Sequence, residues 1–170
     1  MYRGFWGAQV MIIGCGNVLF GDDGFGPAVI ERLQTDYRLP DKMVAVDAGT
    51  AAGEILLDAL LGEETPGTLI IVDAMDFGRE PGTVEEIPLE ALPVNKRADF
   101  SVHQFPAFDI LKELKERRGV DLRLLGCQVE SLPQEICQGL SARVSRAVGK
   151  TAKYIFEMVC TEVSIIVARI

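Results

Sequence analysis

Val10-Met11-Ile12-Ile13-Gly14-Cys15-Gly16-Asn17-Val18-Leu19-Phe20-Gly21-Asp22-Asp23-Gly24-Phe25-Gly26-Pro27 is the stretch that decides the fold. Its first four residues are continuously apolar, the pattern of a strand buried on both faces. Glycines and two adjacent carboxylates follow, and beyond them Val29, Ile30 and Leu33 fall at helical spacing. Pro27 suits a first helical turn, and Pro40 ends the element. Strand, glycine-rich turn and helix in that order open a parallel α/β sheet. In such sheets the chemistry gathers where loops leave the carboxyl ends of the strands.

Outward from this unit the alternation continues. Met43 to Val46 read as a second strand ending in Asp47-Ala48-Gly49-Thr50, and Ile55, Leu56, Ala59 and Leu60 line a helix from about Ala52 to Leu61. Pro66-Gly67 turns into a third strand, Thr68 to Val72, followed by Asp73-Ala74-Met75-Asp76. Thr83 to Ile87 read as an edge strand, residues 106–118 as an amphipathic helix, and Leu122 to Leu125 as a further strand. A long helix is expected over 141–162, with Val144, Val148, Ala152, Ile155, Phe156 and Val159 along one stripe; the β-branched residues of 164–170 lean towards a terminal strand. No repeat, linker or low-complexity tract divides residues 1–170. The reading is one α/β domain with a mainly parallel sheet covered on both faces.

The 170 residues suffice for a substantial core, and 48% of them are apolar. A formal net charge of −8, without a basic patch interleaved with aromatics, argues against nucleic acid and anionic lipid as partners. No apolar run has the length of a membrane span, and residues 1–9 lack the apolar core of a signal peptide, so a cytoplasmic protein is expected. Cys15, Cys127, Cys137 and Cys160 lack CxxC spacing and are expected to be reduced and mostly buried.

A carboxylate follows each of the first three strands: Asp23, Asp47 and Asp73. The sole histidine, His103, precedes a helix. Right-handed crossovers in a parallel sheet bring those strand ends to one rim. Imidazole with carboxylate oxygens suits a borderline divalent metal and leaves positions open for water or substrate. The plain alternatives are helix capping by Asp22 or Asp23 near Phe25, amide binding by Asp73, and a structural role for His103. Nucleotide binding is not expected, because Leu19 stands where a dinucleotide fingerprint needs its third glycine, and the adjacent carboxylates repel a pyrophosphate.

These segments resemble the [NiFe]-hydrogenase maturation proteases: Gly14-Cys15-Gly16-Asn17 with Asp22-Asp23-Gly24-Phe25-Gly26, then Asp47-Ala48-Gly49-Thr50, Ile71-Val72-Asp73-Ala74 and Ser101-Val102-His103-Gln104. The motifs run in the family's order over nearly the whole chain, and the glycine loop looks closest to the branch serving coenzyme F420-reducing hydrogenases. The resemblance implies a three-layer α/β/α sandwich. It also implies an endopeptidase that removes a short C-terminal extension from the hydrogenase large-subunit precursor after nickel insertion. Asp23, Asp73 and His103 fall on the family's metal-contacting and catalytic positions. Many members carry glutamate where this chain has Asp23, so the carboxylate here is one methylene shorter. Asp47, Ala48, Gly49 and Thr50 fall on the segment linked to substrate choice, with Ala48 where glycine is common.

On this resemblance the nickel arrives with the precursor, and the enzyme needs no permanent metal and no nucleotide. Asp22 becomes the structural carboxylate at the turn and helix start, and the loop glycines become backbone clearance for the substrate's C-terminal segment. Two other classes stay open: a non-catalytic chaperone gripping the same precursor, and a Mg²⁺-dependent phosphohydrolase using Asp22, Asp23, Asp73 and Asp76. Neither needs His103.

Overall fold

The computed structural model describes residues 7–92 and 107–167. Among these residues the sheet has five strands in the order β2-β1-β3-β5-β4. They are β1 (Val10–Cys15), β2 (Met43–Gly49), β3 (Thr68–Met75), β4 (Val84–Glu86) and β5 (Asp121–Gln128). The first three and β5 run parallel, whereas β4 is an antiparallel edge on β5. Every residue of β1 is buried, as its continuous apolar run requires of a strand between β2 and β3 with both faces covered.

Among the described residues four helices cover the sheet: α1 (Phe25–Asp36), α2 (Ala52–Leu61), α3 (Ala107–Glu116) and α4 (Ala142–Val167). One core joins Met11, Ile13, Leu69 and Ile71 to Ile55 and Leu56 of α2 and to Leu111 and Leu114 of α3. The other joins Ile12, Ile70 and Val72 to Val29, Ile30 and Leu33 of α1 and to Val144, Ile155 and Val159 of α4. Alternate residues of each strand thus feed opposite cores, which makes the three-layer α/β/α sandwich expected from sequence. Between α1 and α4, the rings of Tyr37 and Phe156 stack with centroids 4.5 Å apart.

Strands β2 and β5 run past their expected ends at Val46 and Leu125, to Gly49 and Gln128, and two further boundaries move. The third strand does not stop at Val72: it pairs with β5 through Met75, so Asp73 is a strand residue in register with Gly126. The last helix continues to Val167, which corrects the leaning towards a terminal strand from residue 164. A helix already under way adds one hydrogen bond per residue, and that gain outweighs the weak β preference of Ile165, Ile166 and Val167. No helix among the described residues is long and apolar enough to cross a membrane.

Candidate active site

The carboxyl ends of β1, β2, β3 and β5 share one rim because those strands are parallel. From β1 the chain passes through α1 on one face to β2, then through α2 on the opposite face to β3 on the other side of β1. The gap between β1 and β3 is therefore the point at which the winding reverses, where open α/β sheets hold their ligands. Asp23 follows β1 and Asp73 lies near the end of β3, one on each side of it.

Asp23 sits half-buried in the 3-10 turn Gly21–Gly24. Its Oδ2 accepts the Asn17 backbone N–H at 2.7 Å, while Oδ1 has no hydrogen bond among the described residues. Asn17 in turn holds the loop, its Oδ1 accepting the Leu19 N–H at 3.0 Å. Gly16 lies at φ +122°, and a Cβ there would collide with the Asp23 carbonyl oxygen. Gly26 fits directly against Cys15 and Val72, where a Cβ would stand 2.5 Å from the Val72 carbonyl oxygen. The room these glycines make is filled by the chain's own backbone, so the expectation that they clear space for a substrate segment is corrected.

Asp22, only 2% exposed, is committed elsewhere. Its Oδ2 accepts the Glu130 N–H at 2.8 Å and its Oδ1 the Ser141 N–H at 2.6 Å. The capping expected at α1 is not there: Gly24 caps that helix and contributes no side-chain hydrogen bond. The carboxylate instead lies at the residue preceding α4, where it complements the positive end of the helix dipole. Asp22 is thus the structural member of the pair, but the helix it serves is the last one.

Asp73 is 2% exposed, and its Oδ1 accepts the Ala74 N–H at 2.8 Å. Asp47 is exposed, and its Oδ1 accepts the Gly49 N–H at 2.9 Å, with Gly49 at φ +48°. The Gly16 N–H donates to the Gly49 carbonyl at 3.0 Å, so the segment Asp47, Ala48, Gly49 and Thr50 runs beside the loop that carries Asp23. Ala48 is buried and Thr50 exposed.

Gln128, at the end of β5, escaped the sequence reading. It is buried, its Oε1 accepts the Phe77 and Arg79 N–H groups at 2.9 and 3.1 Å, and its Nε2 donates to Asp76 at 3.1 Å. The loop after β3, with Asp76, is fastened to the neighbouring strand in this way. A lone amide directly after the run Leu124-Leu125-Gly126-Cys127 was the available signal. His103 lies outside the described residues. Among the described residues no three of His, Cys, Asp and Glu form a group fit to hold a metal.

The thiols divide by position. Cys15 and Cys127 are buried, Cys160 is intermediate and Cys137 is exposed, so burial is less general than expected. Burial, reinforced by the nearby Asp22 charge, pushes the Cys127 thiol up to about 12. It stays protonated at neutral pH and is not a nucleophile.

The family described as "HycI: Hydrogenase maturation protease" matches residues 27–158, a segment that includes Asp73 and His103 and begins after Asp23. A putative hydrogenase maturation protease of Methanocaldococcus jannaschii is 40% identical over 148 residues, covering 86% of this chain and 94% of that protein. The coenzyme F420 hydrogenase subunit delta of Methanothermobacter thermautotrophicus is 32% identical over 154 residues, covering 88% and 94%. Among solved structures, the hydrogenase maturating endopeptidase HybD from E. coli superposes with a TM-score of 0.67 at 28% identity, covering 91% of this chain and 93% of that one. With this breadth of match in sequence and fold, the chain belongs to the hydrogenase maturation protease family.

Proposed function

We propose that this protein is the endopeptidase that removes the C-terminal extension of a [NiFe]-hydrogenase large-subunit precursor once nickel has been inserted. The observation that carries the reading is the placement of Asp23 and Asp73 on either side of the β1/β3 switch point in a chain of this family. Similarity to the delta subunit of a coenzyme F420 hydrogenase supports that branch as the source of the precursor. Four cysteines without CxxC spacing suit a reducing compartment, which supports a cytoplasmic reaction.

In this reading the precursor brings its nickel already held by thiolates, and Asp23, Asp73 and His103 complete the shell. The donor set fits a borderline divalent ion, and Asp23 Oδ1 supports the assignment because no described residue engages it. A metal ion beside the scissile carbonyl lowers the cost of adding water to it. A carboxylate not bound to the ion takes the water's proton. Asp47, Ala48, Gly49 and Thr50, lying against the Asp23 loop, are positioned to touch the precursor and tune its selection.

Mass spectrometry of the precursor after incubation with the protein tests the reading. Shortening is expected with the native chain and not with Asp23→Ala, Asp73→Ala or His103→Ala variants whose circular dichroism is unchanged. A stable complex without shortening would replace the protease by a chaperone.

A further inference from the structure

Away from the β1/β3 gap, a groove of about 860 Å³ separates the edge strand β4 from the first half of α4. Both walls start at the site rim: the Gly82 N–H donates to the Gln128 carbonyl at the end of β5, and α4 begins beside Asp22. Val84 and Ala147 give the groove an apolar floor. Arg143, Arg146 and Lys150 project along one wall, all exposed and none paired with a carboxylate among the described residues. Two of the acidic residues opposite are already engaged, Glu85 by Arg79 at 3.0 Å and Glu86 by Arg123 at 2.6 Å.

Two features make this arrangement unusual. Arg143 stands in the first turn of α4, at the positive end of its dipole, and the helix carries no acid of its own there; the one carboxylate at that end, Asp22, is buried and already taken up by backbone N–H groups. In a chain of net charge −8 the cations of this wall form a local exception. Independently, β4 is a sheet edge. The Ile87 N–H and the Thr83 carbonyl turn inward to β5, and Glu85 is in register with Gly126. Strand alternation therefore directs the backbone N–H and C=O of Val84 and Glu86 outward, and no described residue bonds them.

We propose that this groove docks an extended acidic peptide segment of a partner polypeptide, added as a further strand on β4 with its carboxylates facing Arg143, Arg146 and Lys150. The spacing agrees. The seven helical steps from Arg143 to Lys150 rise about 10.5 Å. Alternate residues of a strand repeat at about 6.6 Å, so two or three carboxylates on one face of the peptide span the cationic row. Backbone pairing supplies affinity and the charges supply selection. A single phosphate would engage one end of the row and leave the strand edge open. The docking reading goes beyond the proteolytic one and does not depend on it.

The test measures fluorescence anisotropy of a labelled peptide alternating glutamate with valine, titrated with the full chain at low salt. Saturable binding is expected, with a matching lysine–valine peptide silent. The charge reversals Arg143→Glu and Arg146→Glu together should weaken binding by about tenfold or more, the scale of losing two exposed ion pairs and gaining two repulsions. Because folding of the variant is a separate matter, a second probe leaves the protein untouched. N-methylation of alternate peptide residues should abolish binding in one register and spare it in the other. Equal binding of both methylated registers would overturn strand addition. Competition by inorganic polyphosphate as strong as by the peptide would reduce the groove to an anion site. A dimer in sedimentation that dissociates on the same charge reversals would assign the edge to a second copy of this chain instead. Either result overturns the proposal.

Discussion

The Asp22 carboxylate accepts the Ser141 backbone N–H at 2.6 Å, joining two residues 119 positions apart and pinning the start of α4 to the glycine loop. The second oxygen takes the Glu130 N–H, so the connection from β5 to α4 is held near both of its ends by one buried side chain. In Asp22→Asn an amide NH₂ replaces one acceptor and faces an N–H donor. A loss of about 2 kcal/mol is expected, read as a lower midpoint in urea unfolding with unchanged slope. Asp23→Asn, whose carboxylate is half-exposed, should change stability by no more than about 1 kcal/mol while stopping precursor shortening.

Gly26 touches the backbone of both β1 and β3, because α1 must start directly against the ends of these strands. Gly26→Ala brings a Cβ to 2.5 Å from the Val72 carbonyl oxygen, against atoms that belong to the sheet and do not give way. The expected cost is about 3 kcal/mol, the upper range for overpacking. Thermal unfolding of the variant should show a clearly lowered Tm. Gly119→Ala is the contrasting control: it has open space around its Cβ and suffers only from its φ of +69°.

The reach of the sequence follows from these contacts. Continuous apolar runs at Val10–Ile13 and Thr68–Val72 placed the buried parallel strands, and alternation of strands and helices placed the rim. Asp73 was read as lying beyond its strand because a carboxylate ordinarily ends an apolar run. The strand goes on because β5 continues to pair with it through Gln128. Asp22 was assigned to the nearest helix, since local spacing carries no information about a bond across 119 residues. The loop glycines read in the sequence as clearance for a substrate segment, whereas the space at Gly16 and Gly26 is taken by the backbone of Asp23, Cys15 and Val72. Topology alone placed Asp23 and Asp73 at the ends of two adjacent parallel strands.

Glu86 and Arg123 hold each other across β4 and β5 at 2.6 Å. The hydrogen bond from Arg123 keeps the Glu86 carboxyl below its ordinary value of 4.5, against the opposing effect of partial burial. A lowered folded pKa means the contribution is complete above the unfolded value and fades as pH falls through the folded one. Exposure of the pair limits it to about 0.5 kcal/mol. Glu86→Gln should therefore lower stability slightly at neutral pH, and the difference from the native chain should shrink under acid. Chemical denaturation across an acid series reads both.

Cys137 lies exposed on the segment that bonds back to Leu19, whereas Cys127 is buried with its thiol raised to about 12. At pH 8 the thiolate fraction of Cys127 is about one in ten thousand. Iodoacetamide should alkylate Cys137 first and leave Cys127 unmodified in the folded chain, as peptide mapping by mass would show. Cys127→Ala should leave precursor shortening intact, since the account gives that thiol no part in the chemistry.

The central claim is that Asp23, Asp73 and His103 act on a precursor that already carries nickel. The most direct measurement compares shortening of nickel-loaded and nickel-free precursor by the same protein, followed by mass over time. The account predicts shortening of the loaded precursor and essentially none of the nickel-free form. Equal rates for the two would contradict it.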